Sequence, residues 1–156
     1  MKISEILNES LIATDLDGQS KDDIINALVN VAGRSSKVLD LERMRAAIFE
    51  REKKMSTGVG SGFAIPHCKT DAVTDIVAAF GITRKPIDYE SLDEQPVRLV
   101  FLLVGRDNLV GPHIKLLSRI SRLMHKEDFR NKLLDQHSSA EVLEAFRQEE
   151  ATYAEM

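Results

Sequence analysis

Hydrophobic residues recur with helical spacing in two stretches of the first third of the chain. In the first stretch Ser20 precedes two aspartates, apolar residues from Ile24 to Ala32 fall on one face, and Gly33 follows. A serine followed by carboxylates suits a helix N-terminus, and a glycine suits the C-terminus. The pattern predicts a helix that begins after Ser20 and ends at Gly33.

The second stretch predicts a helix that begins after Asp40 and carries an apolar stripe of Leu41, Met44 and Ile48. At 100° per residue Arg51 continues this stripe into the last turn. An arginine on the core side of a helix forms an ion pair, is a solvated charge, or binds an anion. The spacing alone leaves these possibilities open.

Two apolar runs in the middle of the chain predict strands. Residues 75–83 form the first run, and residues 97–105 (VRLVFLLVG) are almost entirely apolar and too short for a typical helix. Such a run is typical of a strand covered on both faces. The turn-rich residues 85–96 between the two runs indicate a hairpin or a short edge piece.

The last third predicts three helices. Pro112 suits the first turn of one helix, whose apolar face begins at His113 and ends at Met124. A short helix is expected over residues 127–136, and Ser138 begins a capping box for the last one. Helices, then strands, then helices favour a mixed α/β fold in three layers, with a partly antiparallel mixed sheet covered by helices on both faces.

Composition narrows the possible classes of protein. The 156 residues predict a single domain over 1–156, and the formal net charge of −4 without a basic run disfavours nucleic acid as a partner. One cysteine excludes an internal disulfide framework. The charged N-terminus is unlike a signal peptide, and no apolar run approaches the length of a membrane span. We therefore expect a cytoplasmic protein without membrane insertion; the oligomeric state is left open.

The segment STGVGSGFAIPHCK, residues 56–69, concentrates the candidate chemistry. It matches neither a Walker A loop nor a dinucleotide fingerprint. The first requires a glycine five positions after Gly58 and the second requires one three positions after Gly60, and both positions are Phe63. The nucleophile elbow fails as well, since it requires glycines two residues before and after Ser61, where the chain has Val59 and Phe63. What remains is a small-residue loop followed by a short buried strand that Pro66 ends.

His67 follows that strand and is the first candidate for catalysis. A lone histidine is commonly a structural residue, but beside a glycine-rich loop it can also contact an anion held by backbone N–H groups. Cys68 alternates with His67 across the strand, so a Cys/His pair is not expected.

His113 has two possible roles as well, a core histidine or a neutral imidazole at a helix N-terminus that attracts phosphate. Arg51, just before the glycine loop, is what a phosphoryl site would use. A metal site is disfavoured, because no metal-ligand spacing such as HExxH is present.

Together these residues resemble a known family. REKKMSTGVGSGFAIPHCK (51–69) and GPHIKLLSRISRLM (111–124) are similar, in order and spacing, to the two histidine segments of phosphotransferase-system (PTS) enzyme IIA domains of the fructose/mannitol type. The resemblance covers essentially the whole chain. The combination of both segments is specific, whereas either one alone would be weaker.

The resemblance implies a role for each candidate residue. His67 corresponds to the histidine that accepts a phosphoryl group from phospho-HPr or its nitrogen-branch paralogue, through Nε2. His113 corresponds to the second histidine, and Arg51 to an arginine that stabilises the phosphate. The corresponding loop residues, expected to form the backbone wall of the phosphoryl pocket, are Thr57, Gly58, Gly60, Ser61 and Gly62. No cofactor or metal is implied.

The resemblance also suggests the biological role. The length of the chain and its ISEIL start favour a free-standing nitrogen-regulatory IIA protein, a phosphotransferase component whose transient phosphohistidine controls partner proteins. The alternative is a fructose/mannitol-class transport component that passes the phosphoryl group to a IIB domain. Nitrogen-type members often have asparagine at the position of Ser61, so this residue departs from the nitrogen-regulatory type. A degenerate interaction domain is a third reading, against which the intact His67 argues.

Overall fold

A six-stranded mixed sheet forms the centre of the molecule. The computed structural model describes residues 2–152, except the side chain of Val59. Within this range the helices are α1 (Ile3–Ile6), α2 (Lys21–Ala32), α3 (Leu41–Lys54), α4 (Val110–Met124), α5 (Glu127–Leu134) and α6 (Ser139–Ala151). The strands are β1 (Ile12–Leu16), β2 (Gly58–Gly60), β3 (Phe63–Ala64), β4 (His67–Lys69), β5 (Val77–Ile87) and β6 (Val97–Gly105).

The predicted helix starts are confirmed by their capping hydrogen bonds. Ser20 Oγ accepts a hydrogen bond from a backbone N–H of α2 at 3.2 Å, and an oxygen of Asp40 accepts one from α3 at 3.1 Å. Ser138 Oγ does the same for α6 at 3.2 Å. These bonds satisfy amide groups that the first turn of a helix leaves without an intrahelical partner. Gly33 ends α2 as predicted.

The sheet has the order β1-β5-β6-β3-β2, and β4 also pairs with β6. The β5–β6 and β2–β3 pairs are antiparallel, whereas β1 runs parallel to β5, and β3 and β4 run parallel to β6. The prediction of a mixed, partly antiparallel sheet is therefore confirmed. The predicted strand over 97–105 agrees with β6 at both ends.

Other strand predictions were incomplete. β5 begins two residues later than expected and extends to Ile87, inside the turn-rich segment. β1, β2 and β4 were not predicted. β3 ends at Ala64, two residues before Pro66, and pairing resumes directly after the proline, so that His67 lies opposite Leu103 of β6. The candidate histidine is thus held within the sheet.

Two hydrophobic clusters cover the two faces of the sheet. One contains residues of α1, α4, α5 and α6, with Phe80, Phe101 and Phe146 in mutual ring contact. The other joins α2 and α3 to the opposite face. Helices on both faces confirm the predicted three-layer α/β arrangement. No helix within residues 2–152 is both long enough and apolar enough to cross a membrane.

Candidate active site

His67 lies at the start of β4, where the chain runs beside the end of β6. Its Nδ1 is 2.6 Å from the carbonyl oxygen of Ile65. Because a carbonyl can only accept a hydrogen bond, Nδ1 carries the proton, and the lone pair of the neutral ring is on Nε2. The local backbone therefore selects one tautomer and leaves Nε2 as the nucleophilic nitrogen.

His113 lies in the first turn of α4 and faces His67. The two ring centroids are 6.0 Å apart with the ring planes inclined by 47°. Only 4% of His113 is exposed, and its buried Nδ1 has no hydrogen-bond partner within the described part of the chain. A Cβ atom added to Gly105 would lie 2.6 Å from that Nδ1. The absence of a side chain at Gly105 thus makes room for the ring, and Nε2 lies on the side away from Gly105.

Arg51 is in the last turn of α3, beside the two histidines. Its Nη1 donates a hydrogen bond of 3.0 Å to the carbonyl oxygen of Met55, the residue that follows α3. This bond orients the guanidinium at the helix end and uses one of its five N–H groups. The structure therefore brings together the three residues that the sequence indicated for catalysis.

These three residues line one open cleft of about 570 Å³. Sequence reasoning missed several of its charged residues, namely Glu50, Lys54, Lys69 and Asp107. Lys69 could have been found, because residues two apart on a strand point to the same side of a sheet and His67 begins β4. The lining holds three cationic side chains, those of Arg51, Lys54 and Lys69, against two carboxylates, and this excess of positive charge beside two imidazoles favours an anionic ligand.

Burial and neighbouring charge keep both histidines neutral. Burial is the main cause that lowers the pKa of His67; Arg51 lowers it further, whereas the Ile65 hydrogen bond and Glu52 oppose the shift. Burial, with contributions from His67 and Lys69, lowers the pKa of His113 to about 4. The neutrality of His113 expected from the sequence follows mainly from burial, whereas the expectation rested on the helix N-terminus. Both rings are unprotonated bases at neutral pH.

The glycine-rich loop does not reach this cleft. The five residues expected to form a phosphate wall, Thr57, Gly58, Gly60, Ser61 and Gly62, are absent from the described residues that line it. They belong to the β2–β3 hairpin at the edge of the sheet, where three successive residues have positive φ angles of 106°, 60° and 85°. Such angles strongly favour glycine, so the hairpin turn accounts for Gly60 and Gly62. Gly58 has a different cause, because a Cβ there would lie 2.3 Å from the Ser91 hydroxyl oxygen.

Hydrogen bonds elsewhere occupy the amide groups of this loop. Ser61 N–H donates to Asp93, and Gly58 N–H donates to Ser56 Oγ. Thr57 is buried and donates from both its N–H and its hydroxyl to the Glu52 carboxylate. Thr57, Gly58 and Ser61 thus already have protein partners for these donor groups, so the hydrogen bonds give the predicted backbone wall no support.

Glu52 forms the centre of a buried polar network behind the cleft. It is 6% exposed, and Lys21 Nζ lies 3.4 Å from its Oε1. The Thr57 hydroxyl also contacts the buried Tyr89 hydroxyl at 3.1 Å. The network joins the start of α2, the end of α3 and the loop that leads to β2. It therefore fixes the helix turn that carries Arg51.

Cys68 has no nucleophilic character in this structure. Cys68 contributes to the lining of the cleft, but it alternates with His67 along β4 and is only 7% exposed. Burial raises the pKa of its thiol to about 12, with a further contribution from Asp107. Because the thiolate is the reactive form, the thiol is inert at neutral pH. Within residues 2–152, no three His, Cys, Asp or Glu side chains are grouped so as to hold a metal ion.

Several known proteins are similar to this chain in sequence. The chain is 36% identical over 148 residues to the fructose-specific EIIABC component of the PTS from Bacillus subtilis, and covers 95% of its own length but only 23% of that protein. It is 35% identical to a fructose-specific EIIA component from Haloferax volcanii, covering 90% of this chain and 91% of that one. It is 36% identical to a nitrogen regulatory protein from Bradyrhizobium diazoefficiens, with coverages of 85% and 86%.

A solved structure and a family model extend the comparison. The crystal structure of the nitrogen regulatory protein IIA-Ntr from Neisseria meningitidis superposes with a TM-score of 0.86 at 32% identity, covering 92% of this chain and 98% of that one. Residues 5–149 match the model of the family described as "Phosphoenolpyruvate-dependent sugar phosphotransferase system, EIIA 2". The chain therefore belongs to the EIIA type-2 family of the phosphoenolpyruvate-dependent phosphotransferase system.

Proposed function

We propose that this chain is a cytoplasmic phosphoryl carrier that accepts a phosphoryl group on Nε2 of His67 from phospho-HPr or its nitrogen-branch paralogue. The observation that carries the proposal is the 2.6 Å contact between His67 Nδ1 and the Ile65 carbonyl. It leaves Nε2 as the free nucleophile in a cleft that also contains His113 and Arg51.

The transfer needs little covalent chemistry from the protein. The Nε2 lone pair forms a bond to phosphorus while the nitrogen–phosphorus bond of the donor histidine breaks, and its electron pair stays on the donor ring. The main tasks are in-line placement and stabilisation of the equatorial oxygens. The lowered pKa of His67 suits the first step, because a protonated ring would have no lone pair at Nε2.

His113 and the cations would stabilise the phosphoryl oxygens. With Nδ1 of His113 buried against Gly105, its Nε2 is the nitrogen left to serve the cleft, and as an N–H it can donate to a phosphoryl oxygen on His67. Arg51 offers a planar pair of donors suited to two oxygens. Lys54 and Lys69 add charge at the rim.

A regulatory role is the first candidate for the biological output. The Bradyrhizobium relative and the Neisseria structure carry nitrogen-regulatory names and match this chain along most of its length. In that role the phosphorylation state of His67 decides which regulatory proteins bind. The similarity to the Haloferax fructose-specific EIIA component favours a second candidate, transfer of the phosphoryl group to a IIB domain during sugar uptake.

Labelling with purified components tests the carrier proposal. Incubation with phosphoenolpyruvate, enzyme I and HPr, or the nitrogen-branch equivalents, should add one acid-labile, base-stable phosphoryl group. His67→Ala should abolish labelling, whereas the exposed His137→Ala serves as the matched control and should label normally. Normal labelling of His67→Ala would refute the site assignment.

Parallel measurements separate the two roles. The rates with HPr and with its nitrogen-branch paralogue identify the preferred donor. Transfer of the labelled phosphoryl group from the chain to a purified IIB domain within seconds would favour the sugar-transport role. A complex with a regulatory protein that depends on phosphorylation, without phosphoryl transfer to the IIB domain, would favour the regulatory role.

A further inference from the structure

The glycine-rich segment, residues 56–62, is not used by the carrier proposal, although it is the most distinctive stretch of the sequence. Its first residues are fastened to the connection between β5 and β6. Leu92 N–H donates a hydrogen bond to the Gly58 carbonyl at 3.1 Å, and the Ser56 hydroxyl donates one to the Tyr89 carbonyl at 3.3 Å. The segment is therefore fixed to a part of the chain that lies 33 residues further along the sequence.

Gly58 allows this attachment to be close. A Cβ atom there would lie 2.3 Å from the Ser91 hydroxyl oxygen, 2.9 Å from Ser91 Cβ and 2.9 Å from Tyr89 Cδ1. Ser91 is 6% exposed and Tyr89 is fully buried. Because buried side chains are closely packed, these two cannot move aside without disturbing their neighbours. The backbone at Gly58 thus has one position relative to this connection.

The same backbone is held from its other side by two successive residues of α3. Arg51 Nη1 donates a hydrogen bond to the Met55 carbonyl at 3.0 Å. The Glu52 carboxylate accepts hydrogen bonds from the Thr57 N–H at 3.1 Å and from the Thr57 hydroxyl at 2.7 Å. Since Met55 and Thr57 are only two residues apart, a displacement of Thr57 also displaces the carbonyl that holds the Arg51 guanidinium.

We infer that Thr57 and Gly58 are positioning residues for phosphoryl transfer, because they hold the Met55 carbonyl where it directs Arg51 into the cleft. We call residues 55–58 the arginine bracket. Thr57 and Gly58 are not among the described residues that line the cleft, so they act through Arg51 and not on the phosphoryl group. The inference rests on the proposed carrier function and gives the first half of the glycine-rich motif a task in it.

A small displacement of Arg51 has a large effect on the rate. A planar guanidinium donates to two phosphoryl oxygens at once only in a restricted set of orientations. A shift of about 1 Å in a group that contacts the reacting atoms can slow a reaction by up to about 10²-fold. The bracket residues Thr57 and Gly58 are buried, so they do not contact the donor protein. The loss therefore falls on the maximal transfer rate and leaves the KM for the donor unchanged.

Two substitutions of Thr57 provide the first test, with phospho-HPr or its nitrogen-branch paralogue as the donor. Thr57→Val removes the hydroxyl and should lower the maximal transfer rate by at least about 5-fold. Thr57→Ser keeps the hydroxyl and should transfer at the wild-type rate. Thr83→Val is the matched control, because Thr83 is also buried and its hydroxyl donates a 2.7 Å hydrogen bond to the Lys85 carbonyl. It should leave the rate unchanged.

A compensating pair tests the close approach at Gly58. Gly58→Ala should slow transfer by about 10-fold, because the new methyl group pushes the bracket away from Ser91 and Tyr89. Ser91→Gly removes both Ser91 atoms that this methyl group would meet. The double variant should therefore recover most of the lost rate. A double variant as slow as Gly58→Ala would contradict the inference.

Coupling to Arg51 separates positioning from a general loss of structure. The ammonium group in Arg51→Lys cannot make the bidentate contact, so little orientation remains for the bracket to control. Adding Thr57→Val to Arg51→Lys should slow transfer by less than about 2-fold, whereas independent effects would multiply. A loss as large as the one in the wild-type background would overturn the inference.

Titration of His67 in the unphosphorylated chain makes the test independent of the carrier proposal. Arg51 lowers the pKa of His67, so Arg51→Gln should raise that pKa in an NMR titration. Thr57→Val should also raise it, but not when Arg51→Gln is already present, and Thr83→Val should not change it. The other charged groups near the ring are the same in every variant, namely Glu50, Glu52, Lys54, Lys69 and Asp107.

The two proposals can therefore fail separately. If neither donor labels the wild type, the carrier proposal fails, and the titration still decides whether the bracket positions Arg51. If the wild type is labelled but Thr57→Val changes neither the maximal transfer rate nor the pKa of His67, the positioning inference fails alone.

Discussion

Replacing Gly105 by alanine tests whether the placement of His113 controls the site. Gly105 ends β6 directly behind the ring, and an added Cβ would lie 2.6 Å from His113 Nδ1, 3.4 Å from its Cγ and 3.5 Å from its Cε1. The close approach is to Nδ1, whereas contacts become ordinary only from 3.4 Å. The ring must therefore shift by about 0.8 Å, or the strand end must move.

Two costs follow from that shift. Overpacking of this kind destabilises a protein by about 1–3 kcal/mol, so the free energy of unfolding should fall by that order. A displacement approaching 1 Å of a group that contacts the reacting phosphoryl can slow transfer by up to about 10²-fold. The transfer rate should thus fall well beyond what partial unfolding explains.

Urea denaturation and rapid-quench labelling measure the two effects separately. Gly111→Ala is the matched control, because it lies two residues before His113 in α4 and a Cβ there meets nothing within 4 Å. It should retain wild-type stability and rate. The reasoning would be refuted if Gly105→Ala were as stable and as fast as Gly111→Ala.

Three further predictions follow from the same geometry. Arg51→Lys should slow transfer by about 10-fold, since an ammonium cannot make a bidentate contact, whereas the exposed Arg43→Lys should not; equal rates would place Arg51 outside the site. Glu52→Gln should lower the free energy of unfolding in urea by roughly 2–4 kcal/mol through loss of the buried pair with Lys21, while the exposed Glu50→Gln should change it little. The pKa of His113, about 4 in the folded chain against 6.5 ordinarily, means that the unfolded chain takes up the proton first. Stability should therefore fall by the order of 3 kcal/mol as the pH decreases from about 6.5 to 4, and His113→Gln should remove most of this dependence; an unchanged pH profile would contradict the burial argument.

The sequence predicted the helices and strands that are determined by residues close together in the chain. α2, α3 and α6 have both an amphipathic pattern and a side chain that caps the first turn, so pattern and chemistry agree. β6 is almost entirely apolar because helices cover it on both faces. β1 was missed because only its two ends are buried, and its middle residues, which include Asp15, look like a loop.

Part of the candidate site could be predicted, because the local pattern locates the elements that carry it. His67, His113 and Arg51 lie near element ends that the pattern located, and the structure brings them to one cleft. The contacts of the glycine loop could not be predicted, because Ser61 N–H donates to Asp93, which lies 32 residues away in the sequence, and no local pattern indicates such a contact. Glycines required by positive φ and glycines required by a close ligand look alike in a sequence.

Nitrogen-15 NMR of the phosphorylated chain tests the central claim most directly. After labelling by phosphoenolpyruvate, enzyme I and HPr or its nitrogen-branch paralogue, ring nitrogen shifts and phosphorus couplings identify which nitrogen of which histidine carries the phosphoryl group. The hydrogen bond from Nδ1 to Ile65 predicts phosphorus on Nε2 of His67, with Nδ1 still protonated. Phosphorus on Nδ1 of His67, or on any other histidine, would contradict the account.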